Sequence, residues 1–240
     1  MFDIMNATLK FFSTVVLSLF LLSSCIDSDI DPVGYGDAFI FVEIVDQDTL
    51  TGLGLHAFSY SEFTSVNVRL SGDDTKNYVL QPYLGYKQDF TWSTPIAEYS
   101  KTLPAAGDYI FEATFRGGQS HTFFDKLYST LVYPPKILKA EFVSAGEKVE
   151  VEWQKVSNAD SYNVKLLNSE GNILFVSPVF NRSTDFYSFS KNTNGWQSSS
   201  YPTSGQTVVV EVASYLLEPG TNQNELQSIG KSRQQITWGN

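Results

Sequence analysis

The sequence has one cysteine, Cys25, and two histidines, His56 and His121. A lone cysteine excludes an internal disulfide and any zinc cage built from several thiolates, and two histidines are too few for a histidine-rich metal centre. Basic side chains are scarce as well: 16 Lys and Arg stand against 26 Asp and Glu, a formal charge of -10. Without a basic block the chain is a poor partner for phosphate backbones, so nucleic-acid binding is excluded. Nucleotide-binding motifs are missing: there is no G-x-G-x-x-G and no G-x-x-x-x-G-K. The nearest string to a serine nucleophile elbow, Gly118-Gln119-Ser120-His121-Thr122, lacks the second glycine and reads as a hairpin turn. Neither metal nor cofactor is expected, and no catalysis. No apolar run reaches the roughly 20 residues that a membrane-spanning helix needs.

What the chain has is aromatic residues, 18 Phe, 13 Tyr and 4 Trp, in a composition that is 42% hydrophobic and 18% charged. Such a chain can bury real cores. The N-terminus carries the most specific pattern. Phe11 to Leu22 reads FFSTVVLSLFLL, preceded by Lys10 and followed by Leu22-Ser23-Ser24-Cys25. That run is of export-signal length. Combined with the solitary cysteine, it resembles the lipobox of bacterial lipoproteins, in which the cysteine is acylated after cleavage just before it. The resemblance implies a signal peptide over residues 1–24, a membrane anchor through lipid on Cys25, and more than one acyl chain, since a single chain holds only marginally. The n-region departs from the pattern, because Asp3 offsets Lys10; a start at Met5 leaves Lys10 as its only charge.

Residues 25–36 follow as an acidic tether, Ile26-Asp27-Ser28-Asp29-Ile30-Asp31-Pro32, closed by Gly34 and Gly36. Its D-x-D-x-D spacing opens like a calcium loop, but Pro32 stands where the turn needs glycine and Ala38 where a glutamate should close it. An acidic stretch directly after the lipidated cysteine resembles the surface-export signal of Bacteroidetes lipoproteins. It implies an outer-membrane location facing the cell exterior.

Beyond the tether the pattern is alternation and turns. Candidate strands are Ala38–Val45, Leu55–Tyr60, Ser65–Leu70, Asn77–Tyr83, Gln88–Ser93, Asp108–Arg116 and His121–Tyr128, the spacing of a β-sandwich. Leu103-Pro104-Ala105-Ala106-Gly107-Asp108-Tyr109 before an alternating strand resembles the corner of immunoglobulin-like domains, which implies a structural hydroxyl on Tyr109. Tyr133-Pro134-Pro135 interrupts the strands, because proline donates no amide hydrogen, and a domain boundary is placed there. Val149-Glu150-Val151-Glu152-Trp153, then Val156, Ala159 and Tyr162–Leu166, resemble the second and third strands of a fibronectin type III domain, which implies that Trp153 and Tyr162 are core residues. Thr207–Ala213 resembles its sixth strand and Gln234–Trp238 its last. The segment Asn181–Gly205 reads as a long polar loop, and Thr207 or Val208 stands where the family has a corner tyrosine. The expected fold is all-β: an immunoglobulin-like sandwich over residues 37–134 and a fibronectin III-like sandwich over residues 135–240.

Trp92, Trp196 and Tyr201 lie among Ser, Thr, Asn and Gln. A flat ring offers an apolar platform to a sugar's C–H face while amides and hydroxyls bond its hydroxyl groups. These three are the candidate glycan-binding residues. The alternative, for each ring singly, is that it plugs the end of its own sandwich. The expected function is a non-enzymatic surface lipoprotein that captures polysaccharide, with an outer-membrane transporter or other surface lipoproteins as partners. The alternative is a spacer or fimbrial-type assembly subunit that binds protein partners by strand addition.

Overall fold

A computed structural model describes residues 31–45, 47–73, 75–197, 201–220 and 225–239; the leader, Cys25 and most of the tether lie outside them. The protein is all-β, with a single short 3-10 turn at Ile96–Glu98 among the described residues. No described helix is long and apolar enough to cross a membrane.

Strands β1 (Gly34–Val45) and β2 (Asp48–Ser59) form a hairpin paired along its whole length. They are followed by β3 (Phe63–Leu70), β4 (Tyr78–Val79), β5 (Gln81–Tyr83), β6 (Tyr86–Ser93), β7 (Gly107–Phe115) and β8 (Ser120–Leu127). One sheet runs β4-β3-β7-β8, and it faces β1, β2, β6 and β5. The expected single strand Asn77–Tyr83 is two: β4 pairs with β3 and β5 with β6, so the chain changes sheets at the buried Leu80. The tether ends earlier than its expected boundary at residue 36. Gly34 and Gly36 belong to β1 because rings lie directly against them: a Cβ would sit 2.3 Å from Phe123 and 2.7 Å from Phe111.

On β7 the period-two pattern puts Tyr109, Phe111, Ala113 and Phe115 inside. Phe63 packs against Phe90 and Phe115, with ring centroids 5.4 and 5.0 Å away. Each such ring contributes roughly 1.5–3 kcal/mol by leaving water. The corner forms as expected, Tyr109 donating its hydroxyl to the Ala105 carbonyl at 2.9 Å.

The second half adds β9 (Ile137–Val143), β10 (Lys148–Trp153), β11 (Ser161–Leu167), β12 (Ile173–Val176), β13 (Phe180–Asn181), β14 (Phe186–Ser190), β15 (Thr207–Leu217) and β16 (Leu226–Thr237). Sheet β14-β10-β9 faces β12-β11-β15-β16 around Trp153, Tyr162 and Trp238. The Trp153 and Tyr162 rings lie 5.7 Å apart, and the Tyr162 hydroxyl accepts the Val156 amide at 2.7 Å. The segment Asn181–Gly205 is not one loop. Its Tyr187 and Phe189 alternate inward on β14, which pairs with β10, and the serines around them mask that alternation in the sequence. The last strand also begins eight residues before its expected start at Gln234.

The early residues of that strand join the two halves. Ile40 to Glu43 of β1 pair in parallel with Ser228 to Lys231 of β16, so one sheet runs through both sandwiches, β12-β11-β15-β16-β1-β2-β6-β5. Register partners point to the same face. Ile40 and Val42 face the first core, and Ser228 and Gly230, with Ile236 further along, face the second, so both cores lie on one side of the shared sheet. The connecting segment crosses that side between them. Ser228 Oγ accepts the Val132 amide at 3.2 Å, Ser214 Oγ donates to the Tyr133 carbonyl at 2.8 Å, and Gln227 Nε2 donates to Thr130 at 2.7 Å. On the opposite side Arg233 ties Glu211 of β15 (2.8 Å) to Glu43 of β1 (3.0 Å).

Gly230 allows the crossing, since a Cβ there would lie 2.6 Å from the Tyr133 carbonyl carbon and 2.7 Å from Pro134 N. Backbone on both sides leaves no flexible atom to yield. Gly230→Val is therefore expected to cost about 1–3 kcal/mol, a loss of roughly 2–12 °C in Tm for a chain of this size. Calorimetry of the variant checks it; an unchanged Tm would mean that the crossing segment does not rest on β16.

Candidate binding cleft

The end of the first sandwich opens into a cleft of about 400 Å³, within the size range of small-molecule sites. Trp92 lies on β6 opposite Leu55 of β2, its ring 4.6 Å from that of Tyr78 on β4. The far wall is the segment after the 3-10 turn, which is pinned to β2. Thr51 and Ser100 exchange backbone hydrogen bonds at 2.8 and 3.1 Å, and Thr51 Oγ1 reaches the Thr102 carbonyl at 3.1 Å. Thr94 Oγ1 accepts the Leu53 amide at 3.0 Å. The mouth is thus set by the strands.

Charged groups complete the lining: Asp73, Lys76 and Glu98. Asp73 accepts bonds from the Thr75 hydroxyl and amide, which hold its carboxyl below the ordinary range. Burial, with Asp73 nearby, pushes the Tyr78 phenol up. The cleft therefore offers an apolar aromatic wall together with hydroxyl, carboxylate and ammonium groups. Of these residues the sequence pointed to Trp92 alone. Asp73, Lys76 and Tyr78 lie within one stretch of six residues and Glu98 in the 3-10 turn, and no local feature of the sequence marks them as companions of Trp92.

Trp196 and Tyr201 lie together in the other sandwich. Their rings meet edge-on at 4.9 Å, and Tyr201 is 41% exposed. Trp196 packs on the second core, 5.3 Å from Phe175 and 5.8 Å from Trp238, and its indole N–H donates to the Ser190 carbonyl at 3.0 Å. Gly195 and Gln197 bond to Val176 and Leu174, adding this segment to the edge of β12. The indole closes the end of its sandwich, with its one donor used internally. Trp92 packs on the first core instead, so the three candidates do not form one site.

A cluster that sequence reasoning missed lies where the halves meet. Asp125 of β8 and the pair flanking the β15–β16 turn, Glu218 and Glu225, bring carboxylate oxygens within 4.8 Å of one another. Asp37 of β1 lies beside them: its Oδ2 accepts the Leu226 amide at 3.1 Å, while its buried Oδ1 has no hydrogen-bond partner among the described residues. Asp125 accepts the Ala38 amide at 2.6 Å. Burial first, then the neighbouring carboxylates, raise Asp37 to about 7 and Glu218 to about 8, and burial raises Asp125. Scarcity of His and Cys had led to the expectation of no metal ligands, an expectation that did not weigh carboxylates gathered from three segments. All-oxygen sets of this kind suit hard cations; with protons alone, the raised affinities make the group a proton-sharing cluster.

No family model matches the chain, and no curated protein matches it. Among solved structures it is similar to a segment of two fibronectin type III domains from chicken tenascin, at 18% identity over 80% of this chain and 96% of that one, with a TM-score of 0.28. It is similar to the FN1–FN3 domains of chicken CNTN1, at 8% identity over 87% and 66%, with a TM-score of 0.28. A β-glucuronidase from Ruminococcus gnavus is similar at 9% identity over 78% and 36%, with a TM-score of 0.27. The solved structures that this chain is similar to thus include tandem fibronectin type III domains as well as part of an enzyme.

Proposed function

We propose that the protein is a non-enzymatic surface lipoprotein, lipid-anchored at Cys25 on the exterior of the outer membrane, that captures polysaccharide for uptake by a neighbouring transporter. The observation that carries the capture is the cleft: a Trp92–Tyr78 aromatic wall facing hydroxyls and charged groups. A sugar ring can stack its C–H face on the indole while its hydroxyls bond the opposite wall. Two of the lining residues, Asp73 and Glu98, are carboxylates, so glycoside hydrolysis has to be weighed. That reaction needs one carboxyl kept protonated by a raised pKa. Asp73 is held the other way, and the carboxyls pushed up by burial sit at the junction of the sandwiches, away from the cleft lining. This favours binding without cleavage.

Affinity electrophoresis of the full-length protein through gels containing plant, host and microbial polysaccharides tests it. Retardation by at least one polymer is expected, with Trp92→Ala weakening it by about tenfold, or 1.4 kcal/mol. Far-ultraviolet circular dichroism checks that the variant remains folded. No retardation by any polymer would overturn the capture, and release of reducing sugar would overturn the non-enzymatic reading.

One observation favours the assembly reading. β16 pairs with β1 only through Lys231, so beyond that residue its second edge takes no strand among the described residues. An open edge can accept an added strand. A stable cross-linked partner in membranes together with no sugar affinity would put assembly first.

A further inference from the structure

A second surface of the first sandwich has aromatic character that its core does not use. Phe58, Tyr60 and Tyr86 line an open hollow of about 320 Å³ with Ser59, Gln88 and Asp89. Tyr60 is 85% exposed and Tyr86 63%. A single exposed ring needs no explanation, but several around one hollow do. Phe58 supports Tyr60 edge-on at 5.2 Å. Across the sheet Phe58 is flanked by its register partners Tyr35, itself 57% exposed, and Asp89.

The polar groups are placed as well. His56 Nε2 and Asp89 Oδ1 lie 2.9 Å apart across β2 and β6, which orients the carboxylate and leaves its Oδ2 to accept from a ligand. Gln88 adds an amide that both donates and accepts. Among the described residues no Lys or Arg lines the hollow and one carboxylate does, within a chain of net charge -10. Anionic ligands are disfavoured there, and a ligand of neutral rings with many hydroxyls is favoured.

We propose that this tyrosine shelf is a second carbohydrate contact, taking neutral pyranose rings of the same polymer that the Trp92 cleft holds. The inference rests on the polysaccharide-capture reading and extends it: the ligand class is a neutral polysaccharide, and its capture is bivalent. Tyr86 and Trp92 stand six residues apart on β6, about 20 Å at the rise of a strand. A long chain can engage both places, whereas a short oligosaccharide engages one. Linked contacts raise the affinity for the long chain without strengthening either contact alone.

The test compares full-length wild type, Tyr60→Ala/Tyr86→Ala and Trp92→Ala. Each is run through gels of neutral glucans, mannans, xylans and galactans and of uronate-rich polymers. Short oligosaccharides of whichever polymer retards the wild type are then titrated by calorimetry. The double tyrosine variant is expected to lose about tenfold or more in affinity for a neutral polymer while its oligosaccharide affinity at the cleft stays within about twofold of wild type. Both rings are exposed, so the fold should be retained, and the melting temperature checks that. Unchanged polymer affinity in the tyrosine variant, with loss in Trp92→Ala, would overturn the shelf and leave capture standing. Preference for uronate-rich polymers would overturn the assigned ligand class. Wild type retarded by no polymer would remove the capture reading and the shelf together.

Discussion

Trp196→Ala is expected to lower Tm by roughly 6–12 °C. The indole packs on Phe175, Phe189 and Trp238 and donates to Ser190. Truncating a large ring in such a setting costs about 3 kcal/mol or more, and each kcal/mol moves Tm by about 2–4 °C in a chain of this length. Tyr201→Ala, at the exposed edge of the same ring, is expected to change Tm by no more than about 2 °C. If Trp196 served chiefly as an exposed sugar platform, its removal would leave Tm nearly unchanged, and scanning calorimetry would show that at once. The expected asymmetry between the two variants follows from where the N–H points. A platform indole keeps its donor for ligand, and this one has given it to the backbone.

Stability is expected to fall as pH rises from about 5 to 8, by several kcal/mol. Asp37, Asp125, Glu218 and Glu225 converge where β1 and β8 meet the β15–β16 turn, with His56 across from Asp37 in register on β2. Glu218 is 7% exposed and Asp125 8%. Burial is the largest cause of their raised proton affinity, followed for Glu218 by the charge of Asp125, Glu225 and Asp37. An acid whose pKa is raised by folding binds more protons in the native than in the unfolded state between the two pKa values. The slope of stability against pH is then negative in that window. For Asp37, raised from 3.8 to about 7, the loss is on the order of 4 kcal/mol once pH exceeds 7; Glu218, raised to about 8, extends the window upward. The groups are coupled, so these losses do not add. Glu150 is held at about 2 by Lys139 and Lys148, so its contribution fades only in stronger acid, outside the window. Asp37→Asn and Glu218→Gln are each expected to raise Tm at pH 8, to change it little at pH 5, and to flatten the profile. A wild-type Tm that is level or rising between pH 5 and 8 would show that the carboxylates are not buried together.

Local pattern was enough for much of the fold. The alternation of Tyr109, Phe111 and Phe115 follows from period-two burial, which acts over a few residues, while the corner bond of Tyr109 and the burial of Trp153 and Tyr162 were implied by the resemblance of their local strings to immunoglobulin-like and fibronectin type III domains. The pattern misled where polarity masked alternation, as with Tyr187 and Phe189 among serines, and where one run of residues served two sheets, as at Asn77–Tyr83. Of the cleft, Trp92 alone was legible, because polar neighbours around a ring are a local signal. Nothing local marks Tyr78, Lys76 or Glu98 as its companions. The tyrosine shelf was hidden for the same reason: Tyr60 follows the end of β2 and Tyr86 opens β6, and β2–β6 pairing brings the two strands together.

The sequence by itself determined the all-β class, the composition of two aromatic cores and the interruption of the strands at the paired prolines, since each depends on the side chains of neighbouring residues. Only the tertiary structure decided that the two sandwiches share a sheet. The bond from Ser228 Oγ to the Ile40 carbonyl spans 188 positions, and a parallel pairing between strands so far apart has no turn or repeat to announce it. That pairing covers part of the edges of β1 and β16, lays the connecting segment over Gly230, and gathers four carboxylates, of which Asp125 and Glu218 are buried. No single stretch of sequence holds more than part of that arrangement.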